Sequence, residues 1–113
     1  MSVKLFLLST GERVIAKAQE VVENEGQKRV LGYVFEQPHV VTYDDSKVNT
    51  QEDGLMLDIT MSPWQILSKT SQIPVTTNLI SAIIEPIDSV VQMYMNRLFP
   101  EDVAELVEEK TDE

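Results

Sequence analysis

His39 is the single histidine in 113 residues, and cysteine is absent. Transition-metal sites and nucleophilic triads both draw on imidazole or thiolate. No usual zinc donor set can therefore assemble, and a Ser/His/Asp arrangement has one possible centre. His39 follows Pro38. It reads either as a structural residue at a strand edge or as a ring on which a nucleobase stacks. Asp44-Asp45 and Glu52-Asp53 offer the hard oxygen ligands a divalent cation prefers. They lack the calcium-loop spacing and its central glycine, and read as a solvated loop. Gly11, Gly26, Gly32 and Gly54 are scattered and build no phosphate loop. The expectation is a chain that is no enzyme, holds no cofactor or metal, and has no evident small-molecule substrate.

The remaining candidates are basic and aromatic. Lys28-Arg29 is the one adjacent basic pair. With Lys47 and Lys69 it could contact phosphates, and Tyr43 and His39 could add stacking surface. The charge balance weighs against avid, nonspecific nucleic-acid binding, which needs basic clusters. Net charge is −10, and residues 100–113 alone carry seven acids and one base. A small basic patch repeated around an oligomer stays open. Trp64, after Ser62-Pro63, is either a core aromatic or an interface anchor. Met93, Tyr94 and Met95 with Arg97 could present an adaptable partner surface.

The elements that must position these residues are mostly strands. An apolar run through Leu5, Phe6, Leu7 and Leu8 meets Ser9-Thr10-Gly11-Glu12, after which Val14, Ala16 and Ala18 alternate with polar residues. That pattern predicts two antiparallel strands joined by a tight turn, over residues 4–8 and 13–22. A third strand is expected over residues 29–36, where Gly32 marks a bend or a close backbone approach. Gln37-Pro38 should interrupt pairing before extended structure resumes over residues 39–43. Alternation through Leu55, Leu57, Ile59 and Met61 predicts another strand, with residues 64–67 as a continuation. Residues 68–77, with Pro74, read as irregular, and residues 79–85 as a buried strand ended by Pro86.

After Pro86 the period changes. Ile87, Val90, Val91, Tyr94 and Leu98 fall on one helical face, with Asp88 or Ser89 available as the cap. Pro100 favours a short second helix, and residues 108–113 read as a disordered acidic end. One domain is expected, as a β unit over residues 3–86, a helical segment over residues 87–107 and the tail. No apolar run approaches the roughly 18 residues of a membrane span, and no leader pattern is visible. A cytoplasmic location and no membrane partner are the defaults.

Leu7 to Ala16, LLSTGERVIA, is similar to the first hairpin of Sm/LSm-like barrels, and Gly32 to His39 is similar to that family's strand ending in Phe-Asp. The chain also resembles a group of small marine phage proteins, particularly from cyanophage. There the LSTGExVIA opening and an IPVTTN–IxxxxxP segment recur, as in Leu8 to Ala16 and Ile73 to Pro86. The resemblance implies a mainly β protein: a small, strongly bent five-stranded antiparallel barrel, here followed by a C-terminal helix. It also implies a homo-oligomeric ring and RNA as ligand, in the cytoplasm of an infected bacterium. The family's uridine pocket uses an Asn and an Arg-Gly. Val40 or Val41 and Ser81-Ala82 stand nearest those positions, so no RNA-binding residue is carried over. Lys28, Arg29, His39, Tyr43 and Lys47 are the candidate RNA contacts. Leu5, Leu7, Ile80, Ile83 and Ile84 are the candidate oligomer contacts, because apolar strand edges without charge invite pairing. The alternative is a scaffold module that holds a protein partner through its C-terminal helix and acidic tail.

Overall fold

The structure is a computed structural model that describes residues 2–49 and 56–100, with the backbone alone for residues 44–49 and 56–58. Six antiparallel strands precede one helix: β1 (Ser2–Leu8), β2 (Arg13–Val22), β3 (Val30–Asn49), β4 (Met56–Pro63), β5 (Gln72–Thr76), β6 (Ile80–Ile84) and α1 (Asp88–Leu98). They form a single sheet in the order β4-β3-β2-β1-β6, with β5 also paired to β3. The fold is therefore mainly β with a C-terminal helix. It has six strands rather than five, and the sheet is open.

The sheet is nevertheless curled. The β5 strand pairs with Gly32 to Glu36 of β3, on the side away from β2. Five strands in the order β5-β3-β2-β1-β6 would span about 19 Å if flat, at about 4.8 Å per step. Only Thr77–Leu79, a single 3-10 turn, joins β5 to β6. At about 2 Å per residue such a turn reaches roughly 8 Å. The two margins must approach each other, and side chains fill the concavity between them. Phe6 of β1 lies 4.4 Å from Phe35 of β3, centroid to centroid, although β2 runs between them. Phe6, Leu8, Val14, Ala16, Phe35 and Val75 form this first core, with Trp64, Leu79 and Ile80 packed on it.

The other face carries a second core of Ile15, Val41, Met61, Val90 and Tyr94, roofed by α1. Residue parity explains how β3 serves both. Phe35 belongs to the first core and Val41 to the second, yet Val40 also packs on the first. A strand alternates faces, so one residue must be extra between them. It lies where Ile15 and Lys17 of β2 pair with His39 and Glu36 of β3. Gln37 there has φ 53°, a left-handed value. The result is a β-bulge, which bends the strand and flips the face of everything after it. Gln37-Pro38 interrupts the pairing as expected, and extended structure resumes at His39; the interruption is a bulge within one strand rather than a gap between two.

Two further readings change. Residues 72–76, taken as irregular because of Pro74, form β5; an edge strand needs N–H donors on one side only and so tolerates proline. Residues 64–67 do not extend β4 but turn away, closed by the Ser68 N–H donating to the Gln65 carbonyl at 3.1 Å. The hairpin of β1 and β2 and the helix after Pro86 stand as expected, and α1 buries Val90 and Tyr94 of its apolar stripe. Its cap position is Ile87, without a side-chain cap. Asp88 sits in the first turn, where its charge favours the helix dipole. The second helix and the acidic end fall outside the described residues.

Gly32 fulfils its expectation. A Cβ there would lie 2.3 Å from the Val75 carbonyl oxygen. Only glycine lets β5 approach β3 this closely.

Candidate functional site

Four surfaces are candidates, and the first is the margin of the sheet. Among the described residues β6 pairs only with β1, so its outer edge is open. Its sequence, ISAII, has neither charge nor proline, two of the devices that protect natural edges. Ile83 and Ile84 are 47% and 41% exposed. Of the proposed oligomer contacts, Ile80 is half-buried on the first core, and Leu5 and Leu7 lie on β1. The β1 strand is internal, with β2 on one side and β6 on the other, so it offers no edge.

The proposed RNA contacts do not converge within one chain. Lys28 and Arg29 are exposed in the turn before β3, while Tyr43 and Lys47 lie in its far half. Lys28 has φ 55°, and Gly26 in the same turn φ 77°. Arg29 Nε donates to Glu23 Oε1 at 3.3 Å, so its charge is partly engaged. Tyr43 is 41% exposed, with the Arg13 guanidinium 5.4 Å from its ring centre. The side chains of Lys47, Asp44 and Asp45 lie outside the described residues, as do Glu52 and Asp53 altogether; residues 44–49, expected as loop, continue β3. His39 is corrected most clearly. It is 4% exposed and meets Tyr94 edge-on at 6.3 Å. It presents no free ring face to a base.

His39 instead lines a cavity of about 330 Å³ between the bulge, the segment after β4 and the end of α1. Gln37, Gln65, Thr70, Ser71 and Arg97 share the lining. His39 Nδ1 lies 3.0 Å from the Gln37 carbonyl oxygen. A carbonyl only accepts, so Nδ1 carries the proton and Nε2 is left for another partner. Arg97 reaches over from α1 and donates through Nη1 to the Met61 carbonyl at 2.8 Å. Sequence reading had placed Arg97 on a partner surface, and nothing local linked it to His39. The bulge and the packing of α1 bring them together.

The helix is locked to the bulge by Tyr94, which is fully buried. Its hydroxyl accepts from the Lys17 N–H at 3.1 Å and donates to the Glu36 carbonyl at 2.8 Å, with the Gln37 carbonyl at 3.1 Å. These backbone groups sit at the bulge, where the register between β2 and β3 shifts. Burial pushes the Tyr94 phenol far above its ordinary range, and the nearby Glu36 charge adds to this. The Lys17 N–H acts the opposite way. Of its two sequence readings, apolar stripe and partner surface, Tyr94 follows the first, being fully buried; the signal for its further role was a hydroxyl on an otherwise apolar helix face.

A fourth surface is an apolar hollow of about 240 Å³ beside the start of α1, lined by Leu5, Val41, Tyr43, Ile59, Ile84 and Ile87 among others. Trp64, weighed as core or anchor, is half-buried. It packs on the first core 6.1 Å from Phe35 and its Nε1–H reaches Glu12 Oε1 at 3.4 Å. Among the described residues no group of three or more His, Asp or Glu could hold a metal ion. No described helix is long and apolar enough to cross a membrane. No protein-family model matches the chain, and no curated protein matches its sequence.

Proposed function

We propose that the protein is a non-enzymatic binding module that assembles with copies of itself by edge-to-edge strand pairing, and that the assembly binds RNA. The observation that carries the first half is the outer edge of β6. It is open, uncharged and flanked by exposed Ile83 and Ile84. At the opposite margin β4 pairs only with β3. Two different margins that pair head to tail generate a ring when the rotation closes. Such a ring is what the likeness to Sm-like barrels implies. It repeats Lys28 and Arg29 once per subunit on the same turn, which is how a strongly acidic chain gathers local positive charge.

Light scattering at micromolar concentration tests assembly. The expected mass is a multiple of 12.8 kDa, and Ile83→Lys should reduce it to one subunit. A wild-type monomer overturns the reading. Titration with labelled oligo-U and poly-A at low and moderate salt tests the ligand. Affinity should fall with salt and with Lys28→Ala/Arg29→Ala together. Absence of binding at low salt leaves the scaffold alternative, acting through the helical segment and acidic tail.

A further inference from the structure

We propose that the cavity between Arg97 and His39 binds a protonated oxyanion, monohydrogen phosphate being the simplest. The charge of its walls is the first support. Acids outnumber bases 19 to 9 in the chain, yet no acidic side chain lines this cavity among the described residues. The lining holds a guanidinium, an imidazole, two hydroxyls and two carboxamides instead. Arg97 has one donor on the Met61 carbonyl. A guanidinium carries five N–H donors in a planar fork suited to oxyanions, so four remain. Thr70 Oγ1 accepts from the Gln72 N–H at 3.2 Å, which leaves its own proton to donate. A volume of about 330 Å³ lies at the small end of ligand sites.

The imidazole supplies the selectivity. His39 is 96% buried by its exposure of 4%, and the Gln37 carbonyl fixes the proton on Nδ1. In the neutral ring Nε2 is therefore an acceptor lone pair. Among the described residues no side chain donates to it and no buried side-chain nitrogen or oxygen is left unpaired, so Nε2 opens on the cavity the ring lines. A lone pair beside an anion is repelled unless the anion brings a proton. Monohydrogen phosphate has one P–OH to give to Nε2 while its other oxygens face Arg97. Sulfate and the phosphodiesters of RNA have none. The site is thus distinct from the RNA reading and does not depend on assembly.

The experiment uses the intact protein at pH 8, where imidazole is ordinarily neutral. Because His39 is the single histidine, its ring nitrogens are assigned without ambiguity in a 15N spectrum. Titration with inorganic phosphate should move the lone-pair nitrogen resonance in a saturable way as it accepts a hydrogen bond from the P–OH. Sulfate and oligo-U should leave that resonance unmoved, with affinity at least tenfold weaker. Arg97→Gln should weaken phosphate binding at least tenfold. Ser71→Ala, at an exposed residue, serves as the variant least prone to disturb folding, and should weaken it severalfold. No movement of the resonance at millimolar phosphate overturns the proposal. Equal response to sulfate also overturns it, because a bare positive patch would behave so. Displacement of phosphate by oligo-U would assign the cavity to phosphodiesters and overturn the protonated-oxyanion selectivity. None of these results bears on the mass of the assembly.

Discussion

At the scale of single residues, Tyr94 does the most that is measurable. Its hydroxyl serves the Lys17 N–H and the Glu36 carbonyl beside the bulge. Tyr94→Phe keeps the ring and removes the hydroxyl's hydrogen bonds to the Lys17 N–H and the Glu36 carbonyl. The expected cost is about 1–3 kcal/mol, read from denaturant midpoints. A variant as stable as wild type would show that water replaces the hydroxyl. The phenol also carries a pH signature. Its folded-state pKa is raised by burial, so the stability linked to it is complete below the unfolded value of about 10. That stability is lost as pH climbs above it, when unfolded chains shed the proton and folded ones do not. Wild type should therefore lose stability from about pH 10 upward more steeply than Tyr94→Phe. In an alkaline absorbance titration, one of three tyrosines should ionise only on unfolding.

At the scale of elements, the joins decide what sequence could reveal. Regular alternation made β1, β2 and β4 legible, and the change of period after Pro86 made α1 legible. The same alternation could not disclose the extra residue at Gln37, because two strands of opposite phase look like two strands. It also could not rescue β5, since Pro74 reads as a breaker until an edge position is known. His39 and Arg97, 58 residues apart in sequence, line one cavity only through the bulge and the packing of α1, so that cavity was not legible at all. Gly32 was read correctly as a close approach, and it yields a test. Gly32→Ala sets a Cβ against the Val75 carbonyl and should cost about 1–3 kcal/mol, as overpacking does. Amides of β5 should lose hydrogen-exchange protection before those of β1 and β2. Uniform loss across the sheet would argue against a local origin.

At the scale of the whole molecule, the sheet is curled but unsealed, and its two margins differ. The β6 edge is short and apolar, and the far margin is divided between β4 and β5 along one bent strand. Self-association should therefore be head to tail rather than symmetric. Mixing Ile83→Lys with wild type should shorten assemblies by capping one end; a simple two-chain equilibrium would contradict this. The pairing of Leu5 with Ile84 has a consequence for biosynthesis. Translation proceeds at about 5–20 residues per second, so the outer edge of the first strand waits several seconds, its amides solvated, until β6 has been made. The β1–β2 hairpin cannot complete its pairing until β6 has been made. Ribosomes that stall before Ile80 would release products with a bare flank, suited to capture by chaperones and proteases. Native pairing along that edge is then gained only after β6 has been synthesised.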